Sequence, residues 1–198
     1  MTELLQLLQR VAADLNRLEV RWALVGGMAV SARTRPRFTH DLDFAIAVAS
    51  DEEAEAVVRS LITEGYQMPS VFEQTKAGRL SVIRTHPPYS RQYFVDFLFA
   101  SCGIEPEIIE DATPLKVSRG VSVPAAQISH LIAMKTISFS RRRKQDGIDL
   151  ELIIETATAC DIEHAHLLVA LMVERGFQQK VDLKRRLQRL ISNHRKKR

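Results

Sequence analysis

The chain has 198 residues, 45% of them apolar and 26% charged, with a net charge of +4; this ordinary globular composition excludes wholesale disorder and leaves room for one domain or one domain with a small appendage. Its two cysteines, Cys102 and Cys160, form no CxxC and no Cys/His cluster, which argues against a zinc site and fits a reducing compartment. No stretch approaches the roughly 18 apolar residues that span a bilayer, and the polar residues scattered through MTELLQLLQRVAADLNRL do not form a signal peptide, so the sequence predicts a cytoplasmic protein with no membrane partner.

In chain order, Leu4, Leu5, Leu8, Val11, Leu15 and Leu18 recur at helical spacing and predict an amphipathic helix over 3–18. Trp22–Val25 is a short apolar strand ending in Gly26–Gly27, and a short helical segment over 27–33 stops at the loop Thr34-Arg35-Pro36-Arg37. Leu42–Val48, apolar almost throughout, predicts a central strand. Ser50 or Asp51 caps the next helix, whose first turn carries Glu52 and Glu53 and which stops at Gly65. A meander over Gln67–Gln74 and Leu80–Thr85 leads to the strand Tyr93–Phe99. Short β pieces are expected in EIIEDA, LKV and VSV between Pro106 and Val123, and Pro124 is expected to begin a helix. After the charged knot 141–150, helices are predicted over 148–158, over 162–175 with Asp161 as cap, and over 178–193. Strands and helices do not alternate strictly. The expected fold is therefore α/β in the α+β sense: a mixed-sheet core over 1–124 and a helical region with a basic tail over 125–198.

Residues 180–198 hold nine Lys and Arg against Asp182 alone. That excess is twice the net charge of the whole chain, so residues 1–179 are net acidic. A basic tail attracts nucleic acid, and a solvated helix end kept soluble by charge has the same composition.

The chemistry concentrates in residues 22–48. Asp41 and Asp43, two apart on a strand, point to the same face. Two adjacent carboxylates repel unless a cation lies between them, and hard oxygen donors suit Mg²⁺. The Gly26–Gly27 pair lets backbone N–H groups at a helix start approach an anion. A phosphate cradle beside such a carboxylate pair fits nucleoside triphosphate chemistry. Asp96 adds a third acid inside an otherwise apolar strand, where a partner cation or a metal must compensate its burial. The six histidines form no ligand spacing, and Ser81, Ser101 and Cys102 have no evident base to activate them.

The succession of Gly26–Gly27, Asp41-Leu42-Asp43 and Asp96 resembles the nucleotidyltransferase superfamily of the DNA polymerase β type. Arg37-Phe38-Thr39-His40-Asp41-Leu42-Asp43 is similar to the R-x-T-x-D-h-D pattern of its AbiEii-like branch, which includes toxins of toxin–antitoxin systems. Lys135 on a later helix and the Arg143–Leu150 stretch fit that branch's R-x-x-D-x-x-D-h pattern. The resemblance spans about residues 20–155. One departure is Gly27, where many members carry a Ser whose hydroxyl reaches a phosphate; Ser31, a turn further on, is a weak substitute.

The resemblance implies Mg²⁺-dependent transfer of a nucleoside monophosphate from an NTP to a hydroxyl. Asp41, Asp43 and Asp96 would be the catalytic and metal-binding acids for two Mg²⁺ ions, with Asp96 near the attacking oxygen. Gly26, Gly27 and Lys135 would bind the nucleotide phosphates. Arg37, Thr39, Arg143, Asp146 and Asp149 would have structural or positioning roles, the last two holding Lys135 or Arg143. RNA, such as a tRNA 3′ end, is the favoured acceptor, followed by a protein side chain and then by a small molecule. An antitoxin is a possible protein partner. Two rivals stay open: a catalytically silent or antitoxin-like module of the same fold, and a nucleic-acid binder acting through residues 180–198.

Overall fold

The computed structural model describes residues 3–74, 79–140, 144–177 and 181–196. Helix α1 (Glu3–Arg17) buries Leu4, Leu7, Leu8, Val11 and Leu15. Strand β1 (Trp22–Val25) is buried throughout and runs with no linker into α2 (Gly26–Arg33), for which Val25 is the N-cap. Next come β2 (Asp41–Ile46) and α3 (Asp51–Thr63), the latter capped where Ser50 Oγ accepts from Glu53 N. Strands β3 (Gln67–Gln74), β4 (Arg79–His86) and β5 (Phe94–Leu98) follow, then α4 (Glu105–Glu110), β6 (Thr113–Ser118) and β7 (Val121–Ala125). Four helices follow among the described residues: α5 (Ile128–Ser138), α6 (Lys144–Thr156), α7 (Ala159–Glu174) and α8 (Leu183–Lys196).

Among the described residues, seven strands form one mixed sheet in the order β3-β4-β5-β2-β1-β7-β6. β2 pairs parallel with β5 and β1 parallel with β7, and the other neighbours are antiparallel. β2 is central, as its apolar run requires. Phe44 on β2 packs against Trp22 and Phe97, at ring-centroid distances of 5.4 and 5.9 Å. α7 buries Ala165, Leu168, Val169 and Met172, and α8 seats Leu183, Leu187 and Ile191 in the same core. Among the described residues no helix is long and apolar enough to cross a membrane.

Three local expectations are corrected. EIIEDA is not a β piece: Glu105–Glu110 is helical, with Pro106 in the first turn, where its missing N–H costs nothing. The Glu105 carboxylate accepts N–H bonds from Ser101, Cys102 and Gly103 and holds the preceding turn against that helix. Pro124 does not begin a helix either. It stands within β7 opposite Pro114, and Ala126 N still bonds to Leu24 O at 2.9 Å, so the chain leaves the sheet only afterwards. α7 starts three residues earlier than expected, because Thr158 and Asp161 form a reciprocal capping box.

Candidate active site

Asp41 and Asp43 alternate along β2, and the parallel pairing sets Asp43 opposite Asp96 on β5. The antiparallel neighbour β4 sets Arg84 opposite Asp96. Arg84 Nε donates to Asp96 Oδ1 at 2.9 Å and its Nη2 to Oδ2 at 2.7 Å, while Nη2 is 3.7 Å from Asp41 Oδ2. Bonding to Asp96 raises the Arg84 pKa further, so the guanidinium is always charged. Arg84 thus compensates Asp96, which is only 8% exposed. The sequence calls for a cation there without identifying it: Arg84 is twelve residues away and meets Asp96 only through strand register.

One guanidinium does not balance three acids. Burial, and then the adjacent Asp96, push the Asp43 carboxyl up; Lys135 and the Gly27 N–H pull against this, Asp41 adds to it, and the result is about 7. This surplus of negative charge on hard oxygens is the donor set a divalent cation of the Mg²⁺ type requires.

The Gly–Gly pair is shaped by the acid beside it. Gly26 has φ +63°, and a Cβ there would fall on the Asp43 carboxylate. A Cβ on Gly27 would lie 2.7 Å from Arg37 Nη2 and 2.8 Å from Thr39 Oγ1. A serine at position 27 therefore competes for space with the loop before Asp41, which is a physical reason for the departure from the family's Gly–Ser pattern. Ser31 is engaged elsewhere: its Oγ accepts from Arg37 N at 3.0 Å and donates to Arg37 O at 3.3 Å.

Lys135, on α5, is held by α6. Its Nζ donates to Asp146 Oδ1 at 2.7 Å and is 2.8 Å from Asp149 Oδ2. Burial pushes the ammonium pKa down, but the bonds to Asp146 and Asp149 outweigh it and the net shift is upward. Asp149 is fully buried and also accepts from Arg37 Nη2 at 2.8 Å and from Gln145 Nε2 at 3.0 Å. Thr39 Oγ1 donates to Asp41 O at 3.3 Å. Arg37, Lys135, Asp146 and Asp149 thus tie the loop before β2 to the helical region. Arg143 lies outside the described residues.

Two cavities meet at Asp43. One, of about 300 Å³, is lined by Gly26, Gly27, Asp43, Lys135 and Asp146 together with apolar residues such as Leu131 and Met134, and shares Val82 and Leu98 with the second. The other, of about 460 Å³, is lined by the three acids, Arg84 and Phe72, the last 53% exposed. A third, of about 590 Å³, lies between Phe139–Ser140 and the α8 residues Arg185, Arg186 and Arg189, next along the chain from Ile137 and Ser138 in the wall of the first. Such volumes are ordinary for small-ligand sites.

No protein of curated function matches the chain significantly. Among solved structures, it resembles ANT(2'')-Ia in complex with adenylyl-2''-tobramycin, at TM-score 0.54 and 16% identity over 88% of this chain and 99% of that one. An antigenic nucleotidyltransferase-like protein from Paracoccidioides brasiliensis has TM-score 0.51 and 19% identity over 94% of this chain and 92% of that one. The lincosamide antibiotic adenylyltransferase LnuA, lincomycin-bound, has TM-score 0.50 and 14% identity over 79% and 99%. At these identities the likenesses show the fold alone. The sequence itself matches the family described as "Nucleotidyl transferase AbiEii toxin, Type IV TA system" over residues 6–197. Nearly the whole chain is matched, with both the acids and the helices behind them included, and the protein belongs to the AbiEii family of nucleotidyl transferases.

Proposed function

We propose that the protein transfers a nucleoside monophosphate from an NTP to a hydroxyl of RNA, as a toxin kept in check by a partner antitoxin in the cytoplasm. The observation that carries this is the in-register placement of Asp43 and Asp96, with Asp41, beside the Gly26–Gly27 helix start and Lys135. The triphosphate lies along Gly26, Gly27 and Lys135, and the base packs against apolar residues of the first cavity such as Leu131 and Met134. The acceptor approaches from the Phe72 side, where an exposed ring beside the acids offers a stacking surface. The attacking oxygen bonds to the α-phosphorus, the α–β bridging P–O bond breaks, and pyrophosphate leaves with the electron pair. The proton of the hydroxyl passes to Asp96, for which the Arg84 fork has to open. Asp41, Asp43 and Asp96 would hold Mg²⁺, which when bound draws charge from the phosphate oxygens and lowers the acceptor hydroxyl's pKa.

RNA is favoured over a protein side chain or a small molecule because Arg185 and Arg189 of α8 line a cavity with Phe139 and Ser140, the residues that follow Ile137 and Ser138 in the wall of the first cavity. Incubation with each α-labelled NTP, Mg²⁺, and either total RNA or lysate protein tests both the activity and its acceptor. Label in RNA that disappears in the Asp41→Asn, Asp43→Asn double variant is the expected result. Label in protein moves the acceptor, and label unaffected by that variant overturns the site.

A further inference from the structure

A second polar cluster lies away from the acids, where three elements converge. Asp111 closes α4, His130 is in the first turn of α5, and His164 is on α7. One ligand-competent atom from each lies within 4.8 Å of the other two. The residues are nineteen and thirty-four positions apart in sequence, so no spacing rule could join them. His130 is fully buried. Its Nδ1 is 3.5 Å from Ser129 Oγ. Its Nε2 is buried and has no hydrogen-bond partner; Asp111 Oδ2 is 3.4 Å away but misaligned for such a bond. A buried ring nitrogen left unpartnered is destabilising unless something else engages it. The His164 ring stands edge-on to the His130 ring, with centroids 5.3 Å apart and planes at 80°, so two imidazoles converge where one hydrogen bond would need only one.

We propose that Asp111, His130 and His164 bind a divalent transition-metal ion of the zinc class. Two imidazoles and a carboxylate are its usual donors, whereas Mg²⁺ takes oxygen almost exclusively. For metal–ligand bonds of about 2.0–2.1 Å, neighbouring donors in a tetrahedron are separated by about 3.3 Å. The separation of His130 Nε2 from Asp111 Oδ2 already has that value, at 3.4 Å. The frame is built around the site: Gln127 Nε2 donates to Asp111 O at 2.7 Å, and Arg175 beyond α7 pairs with Glu107 on α4. Asp111 is partly exposed, which leaves an entry path and a fourth position for water. The bound ion pins α7 to α4 and α5, and α5 carries Lys135.

The test uses the full chain, stripped with chelator and then titrated separately with Zn²⁺, Co²⁺ and Mg²⁺. One equivalent of Zn²⁺ is expected to bind and raise Tm, and Co²⁺ to give the intense visible absorption of a tetrahedral site. His164→Asn and Asp111→Asn, both at partly exposed positions, each remove one ligand. Changes merely behind a ligand already cost 10–100-fold in affinity, so each variant is expected to lose at least about 100-fold. Asp41→Asn with Asp43→Asn keeps the Zn²⁺ and Co²⁺ signals, which separates this site from the acids of β2. Absence of stoichiometric Zn²⁺ binding, or binding that survives both ligand variants, or loss of binding in the β2 double variant, each overturns the proposal.

Discussion

Replacing Asp43 with Asn should stabilise the metal-free protein, and by an amount set by pH. In the folded state the Asp43 carboxyl is pushed from 3.8 up to about 7. Between those values the folded protein holds a proton that the unfolded chain has released, so stability falls as pH rises through that window. About three pH units at 1.36 kcal/mol each give an upper bound of about 4 kcal/mol. Asp43 retains some exposure to the cavity, so about 2–4 kcal/mol is the working range. Asn keeps the shape and removes the charge. In EDTA at pH 8, Asp43→Asn should therefore unfold roughly 5–10 °C above the wild type, and near pH 4 the two should coincide. Thermal unfolding followed by circular dichroism at pH 4, 6 and 8 measures this directly. Added Mg²⁺ should raise the wild type at pH 8 and leave the variant unmoved. A variant less stable than wild type at pH 8, or a gap independent of pH, refutes the argument that crowded charge dominates at Asp43.

Arg84→Met should destabilise the chelated protein by about 1–2 kcal/mol, since it strips Asp96 of its partner at a site still open to water, and Mg²⁺ should restore part of the loss in urea unfolding. Gly26→Ala should abolish nucleotide transfer while circular dichroism stays native, because it combines left-handed strain of about 1–2 kcal/mol with displacement of Asp43. Asp149→Ala should cost about 3–5 kcal/mol in urea unfolding, as it leaves Arg37 and Lys135 without their shared buried acid. Arg185→Ala with Arg189→Ala should weaken binding of single-stranded RNA and flatten its log–log salt dependence by about 1.4, at roughly 0.7 for each phosphate that is no longer neutralised.

Local pattern is enough to place the parts of the site that sit within one strand or one turn. Alternation puts Asp41 and Asp43 on one face, and the Gly–Gly turn marks the start of α2. The apolar company of Asp96 signals a buried acid. Arg84 is hidden because its role depends on the β4–β5 register, a non-local choice that a strand's own residues do not reveal. The same holds for His130 and His164, which meet only once α5 and α7 have packed. EIIEDA, residues 107–112, is mistaken for a β piece because two adjacent isoleucines look alike in a short strand and in a short helix. Pro124 misleads because proline fits both a helix start and a strand residue that donates no ladder bond.

The direct passage from β1 to α2 has a consequence for how this chain tolerates changes in length. No loop residue separates Val25 from Gly26 to absorb an insertion or deletion. One added residue would turn α2 by about 100° relative to the sheet, swinging the fully buried Ala29 and Val30 towards solvent and drawing the first helical N–H groups away from Asp43. Gains and losses of sequence among related chains should therefore accumulate in the surface loop 87–93, while the distance from Trp22 to Gly27 stays constant to the residue.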